Sequence, residues 1–160
     1  MKKEVDEQVV DNVREFGCHI NIVFDPDLEQ PDFAYSVGFE ESVGQPEVIM
    51  FGLPHDLMKN AINETLNICH NGLELSDGTR VGGLLDGHHC VVRAVHPSRV
   101  TVEYFAAAIC YQEQNNAFGP IRAIQLVWPG ALNGLFPWDE GCAVEVQDLQ
   151  PRLYEPRLDS

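Results

Sequence analysis

The stretch Phe33-Ala34-Tyr35-Ser36-Val37-Gly38-Phe39 decides the fold. Side chains alternate across a β-strand, so Phe33, Tyr35, Val37 and Phe39 share one face while Ala34, Ser36 and Gly38 share the other. One face is bulky and the other nearly bare. A bare face lets a packed helix or a ligand come close to the backbone.

Outward from this strand, the chain switches between helical and strand periodicity. Upstream, Val5, Val9, Val10, Val13 and Phe16 recur at helical spacing among acidic residues, and Gly17 stands where a C-terminal cap belongs. Cys18 to Phe24 then reads as a strand closed by the turn Asp25-Pro26-Asp27. Downstream, Gly44-Gln45-Pro46 turns the chain into an apolar strand from Val48 to Leu53. Pro54 opens a helix whose buried face includes Met58, Ala61, Ile62, Leu66 and Cys69, and Asn71-Gly72 stops it. Thr79 to Leu85 and His88 to Val95 form an antiparallel pair across Asp86-Gly87. A third helix runs from about Arg99 to Gln112, apolar enough to be covered on most sides. Ile121 to Val127 is the last strand, and from about residue 128 the chain is irregular and rich in Trp and Pro. This order predicts a single α+β domain over residues 1–160. Its sheet is mixed or mostly antiparallel, with about six strands, accompanied by three helices.

The 160 residues suit one domain, and 44% hydrophobic with 22% charged residues is ordinary globular composition. No apolar run is long enough for a membrane span, and Met1-Lys2-Lys3-Glu4 leads into no apolar leader segment, so the expected location is cytoplasmic. Cys18, Cys69, Cys90, Cys110 and Cys142 are scattered without C-x-x-C spacing, which predicts reduced thiols. The formal net charge of −15, with basic residues dispersed, argues against nucleic acid and against anionic membranes as partners.

Several motifs stand in one order: Glu15-Phe16-Gly17-Cys18-His19, Phe33 to Gly38, Gly44-Gln45-Pro46-Glu47, Phe51-Gly52-Leu53, Gln125-Leu126-Val127-Trp128-Pro129 and Gly134-Leu135-Phe136-Pro137-Trp138. From about Val9 to Gln147 the chain resembles the bacterial family known as domain of unknown function 4262. The resemblance implies a small bacterial or phage protein and brings no activity with it. It departs from the family at Gln45, where a His is usual, and at Gly130-Ala131-Leu132-Asn133, which lengthens the loop between the tryptophans.

The leading candidate for chemistry is an aromatic slot. Trp128-Pro129 and Phe136-Pro137-Trp138 hold rigid rings on a proline-stiffened segment. Set beside the bare strand face, Trp128 and Trp138 would stack a flat ligand, with Tyr35, Ser36 and Gln125 as polar pins. The competing structural reading is a minicore that fastens the C-terminal tail to the sheet.

Other chemistry is weaker. His19, His88, His89 and Cys90 have no metal-ligand spacing, so no metal site is assigned. A thiol enzyme would need Cys18 or Cys90 to meet His19, yet Cys18 and His19 are neighbours that point to opposite strand faces. Gly78 to Gly83 lacks the lysine and helix of a phosphate loop and reads as a hairpin with a bulge. Glu40, Glu41 and Glu47 follow a strand end and are expected in solvent. The functional expectation is a small-molecule-binding domain, with or without an enzymatic step and with no cofactor named. The rival expectation is an acidic interaction protein that binds or inhibits a protein partner, with its first helix in the interface.

Overall fold

A computed structural model describes residues 6–24, 27, 30–114 and 119–156. The decisive stretch forms β2, Phe33–Val37, buried at every position. It ends two residues early because Gly38 takes φ +101°, a left-handed conformation closed to most residues. Phe39–Val43 then turns into a short helix, α2, instead of continuing the strand.

The helix before it, α1 (Glu7–Phe16), ends at its expected cap and starts at one the periodicity did not mark. Asp6 accepts from the Gln8 N–H at 2.9 Å, and Gly17 closes the C-terminus at φ +92°. Val5, Asp25 and Pro26 of the expected helix and turn lie outside the described residues. The remaining elements are β1 (His19–Val23), β3 (Glu47–Phe51), α3 (His55–His70), β4 (Arg80–Leu85), β5 (His88–Ala94), α4 (Val102–Gln114), β6 (Ala123–Val127) and α5 (Val144–Asp148), with a 3-10 turn at Pro97–Arg99. Among the described residues, the three expected helices and two further short ones accompany six strands.

The sheet has the order β1-β2-β3-β6-β5-β4. Every neighbouring pair is antiparallel except β3 with β6, which run parallel in the register Glu47↔Ala123 and Ile49↔Gln125. A parallel pair needs a long crossover, and here it contains α3, the β4–β5 hairpin and α4. The hairpin carries its bulge between Val81 and Leu85, as its paired glycines predict.

Both faces of the sheet are covered. Ala34, Val48, Met50, Val92, Ile124 and Leu126 pack against Met58, Ala61, Ile62 and Leu66 of α3. Phe33, Tyr35, Ile49 and Phe51 pack against Val9 and Val13 of α1 and against Tyr104, Phe105 and Ala108 of α4. At Ala34, which sits under α3, the bare face of β2 is explained by helix packing. Gly38 lies beyond the strand's end and meets α1 instead, where a Cβ would lie 2.7 Å from Val13 Cγ1.

The third helix differs from its expectation. It starts at Val102 and bends at Phe105 (φ −136°, ψ 28°). Only Tyr104, Phe105 and Ala108 are buried along it, while Val102 and Ala106 face water. Alanine forms helix well but has little area to bury, so an Ala-rich run does not require cover on every side.

Candidate functional site

Hydrogen bonds first show what the polar members of the expected slot do. Tyr35 Oη accepts from Asn21 Nδ2 and from the Ala107 N–H, both at 2.9 Å, and so ties β1 and α4 to the centre of the sheet. Gln125 is fully buried. Its Nε2 donates to Pro151 O at 2.8 Å and its Oε1 accepts from the Leu153 N–H at 3.1 Å. Trp128 donates its indole N–H to Phe51 O at 2.7 Å.

These residues do not line one slot. Tyr35 and Gln125 both register with Ile49 and share the α1–α4 face. Trp128 belongs to the α3 face, and Ser36 alternates away from Tyr35. Trp138 stays 37% exposed, stacked on Phe136 at 5.2 Å, with the Arg93 guanidinium 4.9 Å from its ring centre and 4.3 Å from that of Tyr154. Four of the five residues therefore serve the fold, and Gln125 and Trp128 do fasten the C-terminal tail.

Ser36 leads instead to a group that sequence reasoning placed wrongly. Glu47 opens β3 and is 5% exposed, not solvated. Its Oε1 accepts from Ser36 Oγ at 2.7 Å and from the Phe39 N–H at 3.2 Å, and its Oε2 accepts from the Gly38 N–H at 2.8 Å. Ser36 Oγ in turn accepts from the Val48 N–H at 2.9 Å. Burial pushes the Glu47 carboxyl up to about 7, against these three donors, which favour the ionised form. Glu40 instead pairs with Arg122 at 2.6 Å, and Glu41 accepts from the Tyr111 hydroxyl.

The thiol and metal arrangements fare no better. His19 and Cys90 lie on strands four places apart in the sheet, roughly 19 Å at about 4.8 Å per spacing, so they form no dyad. His88 and His89 are on β5, equally remote from His19. Among the described residues, no group of three or more His, Cys, Asp or Glu is placed to hold a metal ion. Burial pushes the Cys18 thiol up to about 12, with the nearby Glu47 charge adding to the effect, so it is a poor nucleophile at neutral pH.

Polar groups do converge elsewhere. A cleft of about 640 Å³ opens between α1, the start of β1 and α3. Gln8 and Asn12 enter it from α1, His19 from β1, and Lys59, Asn63 and Asn67 from α3. Cys18, Ile20 and Leu66 form its apolar floor. Asn12 Nδ2 lies 2.9 Å from His19 Nδ1; with the amide donating, the ring proton sits on Nε2. Burial holds the imidazole below its ordinary pKa and Lys59 adds to this, while an Asn21 hydrogen bond and Asp6 act the other way. At neutral pH the ring is therefore neutral and oriented. Lys59 is the one fully charged side chain in the lining.

A family model described as a domain of unknown function (DUF4262) matches residues 12–143. The chain belongs to the DUF4262 family. The match spans Asn12 and His19 at one end and the Trp128–Trp138 segment at the other, in agreement with the ordered motifs. No significant match to this DUF4262 protein is found among curated proteins or among solved structures.

The cleft was hard to see in the sequence. Its polar residues sit on the outer faces of two helices separated by about forty residues, where Gln, Asn and Lys usually mean no more than contact with water. The pair Asn12 and His19 carried the one local signal, a polar residue late in a helix facing the first residue of the next strand.

Proposed function

We propose that this protein is a small-molecule-binding domain whose ligand occupies the cleft between α1, β1 and α3. One observation carries the reading: six polar side chains from three separate elements converge on one concavity around a neutral, oriented imidazole. Its volume is in the range usual for small-molecule sites. Among the described residues, the side chains of Lys59 and Asn63 have no hydrogen-bond or ion-pair partner, so the fold itself does not use them. Carboxamides offer both donors and acceptors, and Lys59 offers a positive charge within a strongly negative protein. The fitting ligand is a small polar molecule that bears an anionic group and hydrogen-bonding oxygens or amides. The buried thiol supplies no nucleophile there, so the reading is one of binding and includes no reaction.

Titration of isotope-labelled protein with small carboxylates, such as hydroxy acids and N-acetylglycine, tests the reading by NMR. Shift changes should cluster at Asn12, His19, Lys59 and Asn63, and Lys59→Ala with Asn63→Ala should abolish them without unfolding. Changes centred on Trp138 instead would return the site to the aromatic surface.

A second reading, an acidic partner-binding protein, draws on the C-terminal segment. From Ala123 to Pro151 there is no Lys, Arg or His, while Leu132, Trp138, Val144 and Leu149 are exposed among Asp139, Glu140, Glu145 and Asp148. Exposed apolar side chains interspersed with carboxylates along one segment suit a basic amphipathic partner. Complex formation that weakens as salt rises, and that Val144→Ser with Leu149→Ser removes, would favour it.

A further inference from the structure

The two edges of the sheet are not alike. β4 carries Arg80 and a glycine bulge between Val81 and Leu85, devices that blunt an edge against pairing. β1, at the other edge, reads His19-Ile20-Asn21-Ile22-Val23, with no lysine, proline or bulge. Among the described residues it pairs only with β2, so alternate N–H and C=O groups along its outer side have no strand partner. All five of its residues are half-buried, with α1 and α3 packed on opposite faces of the sheet beside it. The cleft meets this edge only at its beginning, through Cys18, His19 and Ile20.

We infer that the cleft takes the C-terminal carboxylate of an extended peptide, whose preceding residues add as an antiparallel strand to the open edge of β1. The inference rests on the proposed binding role of the cleft and names its ligand class. Polarity follows from chain direction. β1 runs from His19 to Val23, so an antiparallel addition ends at the His19 end, where Lys59 lines the cleft. A parallel addition would leave its carboxylate at Val23, away from that charge. Lys59 meets the terminal carboxylate, and the carboxamides of Asn12 and Asn63 match the donor and acceptor of a peptide unit. Main-chain pairing of this kind supplies affinity with little dependence on sequence, and terminal capture fixes the register. A second copy of this chain adding edge to edge is disfavoured, because each copy has a net charge of −15 and flanks β1 with the acidic α1.

The test uses the full chain and an acetylated pentapeptide of alternating threonine and valine, compared as free acid and as C-terminal amide. The free acid should slow amide exchange at alternate positions between Ile20 and Val23 and bind at least tenfold more tightly than the amide. Lys59→Met should erase the difference between the two peptides. Equal binding of acid and amide, or shifts in the cleft without protection along β1, overturns the inference. A response to N-acetylglycine with none to the pentapeptide overturns it while leaving the small-molecule reading in place. Silence towards both removes both.

Discussion

The side-chain amide of Gln150 pairs with both backbone polar groups of Trp128: its Oε1 accepts the Trp128 N–H at 3.0 Å and its Nε2 donates to the Trp128 carbonyl at 2.9 Å. A glutamine here does what a neighbouring strand would do, just beyond the end of β6. Both residues are buried, so the pairing satisfies groups that water does not reach.

Gln150→Ala therefore leaves two buried backbone groups unpaired, at about 1–3 kcal/mol each. Urea unfolding should show a loss of roughly 2–6 kcal/mol. Trp128→Ala should lose about 3–5 kcal/mol, because it empties a buried site as well as breaking the bond to Phe51. Trp138→Ala, at a residue 37% exposed, should cost less than about 2 kcal/mol. Equal losses for the two tryptophans would contradict this division of roles.

Glu47 sets a pH dependence. Its carboxyl is raised from 4.5 in the unfolded reference to about 7 in the fold, chiefly by burial. Between these values the native state holds a proton that the unfolded chain has released, so stability falls as pH rises. The contribution is complete below 4.5 and is lost as pH passes about 7. Denaturation midpoints measured from pH 4.5 to pH 8 should show this slope, and Glu47→Gln should flatten it.

Gly38 and Gly44 separate two costs of replacing glycine. Both have positive φ, +101° and +68°. A Cβ on Gly38 meets Val13 at 2.7 Å, whereas one on Gly44 meets nothing within 4 Å. Gly44→Ala should cost about 1–2 kcal/mol from backbone conformation alone. Gly38→Ala should cost that plus about 1–3 kcal/mol of overpacking. Similar values from thermal unfolding would mean that α1 shifts freely away from β2.

The buried thiols should be silent. Burial raises Cys18 and Cys90 to about 12 and Cys69 to about 11, so almost no thiolate exists at pH 8. An aromatic disulfide reagent at pH 8 should leave these three unmodified in folded protein and label them once it unfolds. Rapid labelling of Cys18 in the fold would revive a reactive thiol in the cleft.

Much of the architecture was legible because helix and strand periods are local. The cap Gly17 closed α1, the Gly82-Gly83 pair marked the bulge, and alternation in Phe33–Val37 foretold two unlike faces. That alternation also told against the aromatic slot, since neighbours such as Tyr35 and Ser36 cannot reach the same face. The end of β2 was less legible. A glycine continues a strand or breaks it, and the approach of Val13 to Gly38 accompanies the break seen here.

The sequence by itself determined that this chain mixes strands and helices in one α+β unit, that its thiols form no framework, and that its family is DUF4262. Tertiary structure alone decided that β3 lies beside β6, that β1 is left at an edge, that Glu47 is enclosed, and that Asn12, His19 and Lys59 face one cleft. The physical reason is range. A hydrophobic period acts over a few residues, but strand order and the burial of a single carboxylate depend on contacts between segments tens of residues apart, and those exist only once the whole sheet has closed.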